Sequence, residues 1–102
     1  MIKLKITKSD NAKYFNVSIG DIVELSFKEY LKGVVASEIG NAHIEACKAQ
    51  AVASRTNAYL YYESGKAVSD SSSSMQAFNA YRMISDQYPN AHNAVDATDG
   101  MI

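Results

Sequence analysis

The stretch that decides the fold is residues 43–63, HIEACKAQAVASRTNAYLYYE, the longest helical pattern in the chain. We expect this helix to end at Ser64-Gly65, because glycine readily adopts the left-handed backbone that closes many helices. Small residues occur on several of its faces, so neighbouring backbones can approach it closely. We therefore predict a central helix packed on more than one side, with the small residues Ala46, Ala49, Ala51, Ala53, Ser54 and Ala58.

A second helix is predicted directly before this one. Ser26 and Glu29 have the spacing of a capping box, and an apolar-periodic stretch follows from Tyr30 to Ile39. Gly40-Asn41 then supplies residues that commonly end a helix. Two consecutive helices joined by a short connection are therefore expected at the centre of the chain.

Shorter patterns lie on either side of these helices. Residues 2–6 alternate apolar and polar side chains, and the β-prone runs 14–19 and 22–25 predict two more strands in a meander or hairpin sheet. Residues 69–74 predict a loop, and further helices are expected over 76–84 and from Pro89 to Asp99-Gly100. Together the patterns predict an α+β fold, in which short N-terminal antiparallel strands precede a helical core of three to four helices around the Ala-rich one.

Length and charge narrow the class of protein. With 102 residues the chain has room for one domain, residues 1–102. The net charge of −1 and the scattered Lys and Arg argue against a nucleic-acid partner. No apolar run reaches the roughly 20 residues that span a bilayer, and the alternating N-terminus lacks the order of a signal peptide. Cys47 is the single cysteine, which excludes an internal disulfide.

Glu38 is the most distinctive carboxyl in the sequence. Leu31, Val34, Val35 and Glu38 fall at i, i+3, i+4 and i+7, which places the carboxyl on the apolar stripe of its helix. Partial desolvation there would favour the protonated form, which can donate a proton to a leaving group. The alternative is that Glu38, in the last turn, faces solvent, and spacing alone favours that alternative.

Two blocks of sequence resemble the signature of the stage II sporulation protein D and amidase-enhancer family. They are residues 29–39, EYLKGVVASEI, and residues 45–56, EACKAQAVASRT. Asp70 with Gln76-Ala77-Phe78, and residues 94–100, AVDATDG, are similar to later segments of the family more loosely. The resemblance covers about residues 22–100 and the N-terminal part of the family's domain.

The resemblance implies lytic transglycosylase activity on peptidoglycan, with Glu38 as the catalytic residue. Such a reaction needs one carboxyl, whereas ordinary glycosidases need two. Gln50, Arg55 and Gln76 are the candidate substrate-binding residues. For Arg55 we favour a structural alternative, a buried ion pair between helices, and Gln50 either binds sugar hydroxyls or satisfies a backbone group.

The resemblance also implies partners and a location. The expected partner is the peptidoglycan glycan strand, with a cell-wall amidase or another envelope protein as a further candidate, and the expected location is the cell envelope or the extracytoplasmic space. Some family members are thought to bind zinc through Cys and His near the Gln-x-aromatic segment. Here residues 72–76, SSSMQ, contain neither, and His43 with Cys47 supplies only two ligands, so no metal and no cofactor is expected.

Two further expectations concern activity. The family's domain continues into strands that help form the substrate groove, so we do not expect these 102 residues to be an active enzyme by themselves. The alternative function is a non-catalytic module that binds glycan or enhances an amidase.

Overall fold

A small sheet and five helices make up the structure, a computed structural model that describes residues 1–102. The α+β class and the helical core are as the sequence predicts. In chain order the elements are β1 (Ile2–Lys5), α1 (Ser9–Phe15), β2 (Ile22–Leu25), α2 (Phe27–Ile39), α3 (Ile44–Ser64), β3 (Val68–Ser69), α4 (Ala80–Ile84) and α5 (Pro89–Ala97).

The sheet has the strand order β2-β1-β3. β1 pairs antiparallel with β2, so that Ile2 lies opposite Leu25, and parallel with β3, so that Leu4 lies opposite Val68. Ile2 and Leu4 are buried while the intervening Lys3 is exposed, as the alternating pattern predicts. The predicted meander is wrong, because the third strand comes from residues 68–69, which follow α3.

The strand predicted over residues 14–19 is also wrong. Residues 9–15 form α1, and Asn16 ends it in the left-handed conformation, with a φ of 56°. No side chain of this segment caps α1. Instead the carboxylate of Asp70 accepts hydrogen bonds from the backbone N–H groups of Thr7 and Lys8 beside the start of the helix. The helix therefore depends on a residue far along the chain, which local propensity does not register.

Helix α2 begins and packs as its sequence predicts. The N–H of Glu29 donates to Ser26 Oγ at 3.1 Å, and the N–H of Ser26 donates to Glu29 Oε1 at 3.2 Å, which completes the capping box. Gly33 faces the ring of Phe78, and a Cβ at position 33 would lie 2.7 Å from Phe78 Cδ2. A glycine is therefore required for this close approach between α2 and the segment before α4.

Helix α3 is central, as predicted, and packs against α2, α5 and the sheet. Gly65 ends it in the left-handed conformation, with a φ of 74°. One face remains in solvent, because Ala46, Ala49 and Ala53 are exposed. The buried stripe consists of Cys47, Ala51, Ser54, Arg55 and Ala58.

The last two helices frame the core. α4 is shorter than the helix predicted over 76–84, because it begins only at Ala80. Asn79 caps it, since Asn79 Oδ1 accepts a hydrogen bond from the N–H of Arg82 at 2.9 Å. α5 begins with Pro89 at its first turn, as predicted. No helix combines the length and the apolar character that crossing a bilayer demands.

Candidate functional site

Glu38 lies in the last turn of α2 with its side chain exposed. Its Oε1 accepts a hydrogen bond from the backbone N–H of Ala77 at 3.1 Å. The exposed side chain agrees with the solvent-facing alternative that spacing favoured, and the desolvated carboxyl is not observed, because the apolar stripe leaves the core before its last member. What the structure adds is a fixed orientation, since the Ala77 N–H holds one carboxylate oxygen and Oε2 has no hydrogen-bond partner within the chain.

Tyr30 is the buried neighbour of this carboxylate. Burial raises the pKa of the Tyr30 hydroxyl to about 12, the hydrogen bond with Gln76 opposes that rise, and the negative charge of Glu38 adds to it. Tyr30 therefore stays protonated at neutral pH. The sequence reasoning missed it, although it precedes Glu38 by eight residues, just over two helical turns, on the same face of α2.

Gln76 joins α2 to α3 through its side-chain amide. Its Nε2 donates to the carbonyl oxygen of Ser54 at 3.0 Å and to Tyr30 Oη at 3.5 Å. Gln50, half-buried on α3, donates from Nε2 to Ser54 Oγ at 3.0 Å. One chain of contacts thus runs from Gln50 through Ser54, Gln76 and Tyr30 to the vicinity of Glu38. Gln76 is only 6% exposed, so its amide supports the site from the protein interior.

The segment that carries Gln76 and Ala77 is anchored by a buried polar cluster, Asp70 and Asn11. Asn11 Nδ2 donates to Asp70 Oδ2 and to the carbonyl oxygen of Phe78, both at 3.0 Å, and Asn11 Oδ1 accepts from the N–H of Ala80 at 2.9 Å. The carbonyl oxygen of Asp70 accepts from the N–H of Phe78 at 3.1 Å. The cluster therefore fixes the backbone on both sides of residues 76–79.

Asp70 is ionised in this setting. Burial by itself would raise the pKa of the carboxyl, but hydrogen bonds from Asn11, Thr7 and Lys8 together outweigh it and hold the pKa below its usual value of 3.8. In the sequence, Asp70 is distinguished only by a loose resemblance to a later segment of the family. The sequence marked Asn11 only as part of a turn at Asp10-Asn11, whereas it lies in α1, and its partners are 59 or more residues away.

Arg55 lies apart from Glu38, against α5 and the residues that follow it. It is 4% exposed, and its guanidinium donates to Thr98 Oγ1 at 3.2 Å and to the carbonyl oxygens of Val95 and Met101 at 3.2 and 3.0 Å. Burial lowers the pKa of Arg55, and the charge of Asp99 opposes that change. The contacts are structural, as the sequence analysis favoured, but carbonyl and hydroxyl oxygens take the place of the expected ion pair. The substrate-binding role of Arg55 stays a prediction, and the geometry does not bring it to the site.

His43 and Cys47 both make contacts within the chain. His43 Nδ1 accepts from the N–H of Glu45 at 3.2 Å and so caps α3, while the buried Cys47 Sγ donates to the carbonyl oxygen of Ala42 at 3.4 Å. Burial raises the pKa of the Cys47 thiol. No group of three or more His, Cys, Asp or Glu side chains has an arrangement that could hold a metal ion.

A comparison with protein families gives one match. The model of the family described as SpoIID, stage II sporulation protein, matches residues 16–102, which is more than four-fifths of the chain and corresponds to roughly the N-terminal part of the family's domain. β1 and α1 precede the matched residues. Comparisons with curated proteins and with solved structures gave no significant match.

Proposed function

The chain belongs to the SpoIID family of stage II sporulation proteins, which is linked to cell-wall lysis, and we propose that residues 1–102 are the catalytic core of a peptidoglycan lytic transglycosylase of the cell envelope. Glu38 is the general acid and base in this proposal. The substrate is the glycan strand of the cell wall, and the bond that breaks is the glycosidic bond on the muramic sugar.

The observation that supports this function best is the arrangement of the Glu38 carboxylate. It is exposed to an incoming ligand, yet its orientation is set by the Ala77 N–H at 3.1 Å. Acid–base catalysis needs a carboxyl oxygen within hydrogen-bond reach of the substrate oxygen, and Oε2 is available for that contact. A strand bound over the site would exclude water from the carboxyl, which favours its protonated form.

The proposed reaction uses one carboxyl twice. Protonated Glu38 donates its proton to the bridging glycosidic oxygen, and the bond from that oxygen to C1 of the muramic sugar breaks. The carboxylate then accepts the proton of the C6 hydroxyl on the same sugar, as O6 bonds to C1 and the 1,6-anhydro ring closes. No water is consumed and Glu38 ends protonated, so the atoms and the proton balance.

Tyr30 and Gln76 support this carboxyl, and Gln50 is the proposed contact for sugar hydroxyls. The Tyr30 hydroxyl stays neutral, so it adds no second negative charge beside Glu38. Gln50 is half-buried, which leaves part of its side chain accessible from solvent. Arg55 has no part in the proposed chemistry, because its guanidinium is buried against the C-terminal residues.

The decisive experiment compares wild type with Glu38→Gln in digestion of purified sacculi, with released products identified by mass. Both proteins are used in this digestion as full-length gene products. We expect Glu38→Gln to abolish the release of anhydro-muropeptides, with a melting temperature within a degree or two of wild type, because glutamine Oε1 can still accept from the Ala77 N–H. Glu24→Gln, an exposed carboxyl on β2, is the matched control and should release products like wild type. Equal release by Glu38→Gln would refute the proposal.

A non-catalytic function is the second candidate, and it is favoured by the exposure of the Glu38 side chain, because catalytic acids are commonly held in apolar surroundings. In that case the protein binds glycan or stimulates a cell-wall amidase. Sedimentation with sacculi without any released product, together with faster amidase digestion in its presence, would support this function over the enzyme.

A further inference from the structure

A groove of about 590 Å³ lies between α1 and α4 and shares Asn11 with the buried polar cluster described above. The α1 side of this groove precedes the residues that match the family model, and its α4 side lies within them. Its lining consists of Asp10, Asn11, Lys13, Tyr14, Asn79, Tyr81, Arg82 and Tyr88. We refer to it as the α1–α4 groove.

Three of the eight residues that line the α1–α4 groove are tyrosines. Tyr81 is 57% exposed and Tyr14 is 43% exposed, whereas Tyr88 is half-buried with the guanidinium of Arg82 5.0 Å from its ring centroid. A tyrosine presents an apolar ring together with a hydroxyl that forms hydrogen bonds. Sugar rings have the matching surface, because their C–H faces stack on aromatic rings while their hydroxyls bond to polar groups at the ring edges.

The charge of the groove is positive, although the chain as a whole has a net charge of −1. Lys13 and Arg82 contribute two cations, and Asp10 contributes the one carboxylate of the lining. The ion pairs of the chain involve Lys28, Lys32 and Lys48, so neither groove cation is neutralised by a carboxylate within 4.0 Å. Unpaired cations next to aromatic rings suit a ligand that carries a carboxylate.

The groove and Glu38 lie on either side of one short segment. Asn79 lines the groove and is two residues after Ala77, whose N–H holds Glu38, so the two α-carbons are at most about 7 Å apart. Arg82 reaches the same region from α4, because its Nη1 donates to the carbonyl oxygen of Ala36, two residues before Glu38, at 3.0 Å. The groove and Glu38 are therefore connected through the backbone of residues 77–79 and through Arg82.

We propose that the α1–α4 groove is a binding subsite for an acidic saccharide, in which Tyr14 and Tyr81 stack on sugar rings and Lys13 and Arg82 pair with a carboxylate on the sugar. This inference rests on the proposed function, since it extends the path of the same glycan strand beyond Glu38. It assigns α1, which lies outside the family match, a role in substrate recognition. It involves no bond making or breaking.

The test is a titration of the ¹⁵N-labelled chain, followed by amide NMR, with the disaccharide of N-acetylglucosamine and N-acetylmuramic acid. The neutral disaccharide of N-acetylglucosamine is the comparison ligand. We expect shifts centred on residues 10–14 and 79–82, and tighter binding of the acidic disaccharide that weakens with added salt. Shifts centred instead on Leu60–Lys66, the lining of another surface concavity, or the absence of saturable binding would overturn the inference.

Two variants assign the binding to named side chains. Tyr81→Ala should weaken binding of both disaccharides by about three- to tenfold, because one stacking surface is lost. Lys13→Gln should remove most of the preference for the acidic ligand while leaving the neutral one unchanged. Tyr61→Ala, an exposed tyrosine on α3, is the matched control and should bind like wild type. Equal binding by Tyr81→Ala and wild type would overturn the inference.

The sacculus digestion tests the proposed enzyme and the saccharide titration tests the proposed subsite, so either proposal can fail without the other. If groove variants bind normally while wild type still releases anhydro products, the subsite is wrong and the enzyme stands. If the groove binds saccharide as expected but Glu38→Gln and wild type digest sacculi equally, the enzyme is wrong and the subsite stands.

Discussion

Replacement of Asn11 by alanine tests how the site segment is held in place. The side chain is 1% exposed, and its amide makes three hydrogen bonds to residues that lie 59 to 69 positions away. Asn11→Ala removes all three without adding volume. The segment that contains Ala77 then loses its contacts with Asn11 at Phe78 and Ala80.

The loss in the free energy of unfolding depends on which hydrogen bonds the former partners of Asn11 keep. The N–H of Ala80 is left buried without its partner, which costs about 1–3 kcal/mol. The Asp70 carboxylate loses one donor, worth about 1.5–3 kcal/mol for a charged acceptor, and keeps Thr7 and Lys8. The carbonyl oxygen of Phe78 keeps a bond from Lys8 Nζ at 3.3 Å. Because these terms are coupled, we expect a total loss of about 3–5 kcal/mol in the free energy of unfolding.

Urea denaturation at pH 7, followed by far-UV circular dichroism, measures this loss, since the chain has no tryptophan. Asn93→Ala on the exposed face of α5 is the matched control, and we expect a change within about 0.5 kcal/mol. Amide exchange at Phe78 and Ala80 should also accelerate in Asn11→Ala. A loss below about 1 kcal/mol would refute the argument that this cluster anchors the segment.

Three further changes probe separate parts of the fold. Gly33→Ala should lower the free energy of unfolding by about 1–3 kcal/mol, because the new Cβ meets the Phe78 ring. Adding Phe78→Leu to this variant should recover part of that loss in the same urea assay. Arg55→Met should lower the free energy of unfolding by about 2–4 kcal/mol, because it removes the hydrogen bonds that hold the end of α5. Arg55→Lys should not restore the lost stability, since one ammonium cannot span three acceptors. A fully stable Arg55→Met would contradict the structural role. Asp70 has a depressed pKa in the folded chain, so its contribution is complete above about pH 4 and is lost as the pH falls through the folded pKa. Asp70→Asn should therefore flatten the fall in stability with acid, and identical pH profiles for the variant and wild type would contradict this linkage.

Much of the architecture could be predicted from local signals. The capping box at Ser26 and Glu29 and the long helix ended by Gly65 depend on residues within a few positions of each other, so pattern alone located them. The same logic failed for residues 14–19, which have strand propensity but lie where Asn16 ends a helix. Tertiary contact overrides propensity there, because β3 and Asp70 arrive from beyond α3.

Some residues of the candidate site could also be predicted from the sequence, whereas others were found only in the structure. Helical spacing and resemblance selected Glu38, and resemblance alone selected Gln76. The structure brings Glu38 to the backbone N–H of Ala77, the residue that follows Gln76. Helical spacing favoured a solvent-facing Glu38, but the sequence did not indicate the Ala77 N–H that orients its carboxylate, because the direction of a last-turn side chain depends on what packs beyond the helix. Tyr30 lay within the signature, but its role follows only from its burial beside Gln76.

By itself, the sequence determined the two central helices, the alternating first strand and the family, because each depends on short-range pattern or on a contiguous block of residues. The tertiary structure alone decided the strand order, the contact of the Glu38 carboxylate with the Ala77 N–H and the α1–α4 groove. Each of these requires residues from distant parts of the chain to meet, and periodicity contains no information about which distant partner satisfies a buried polar group such as Asp70.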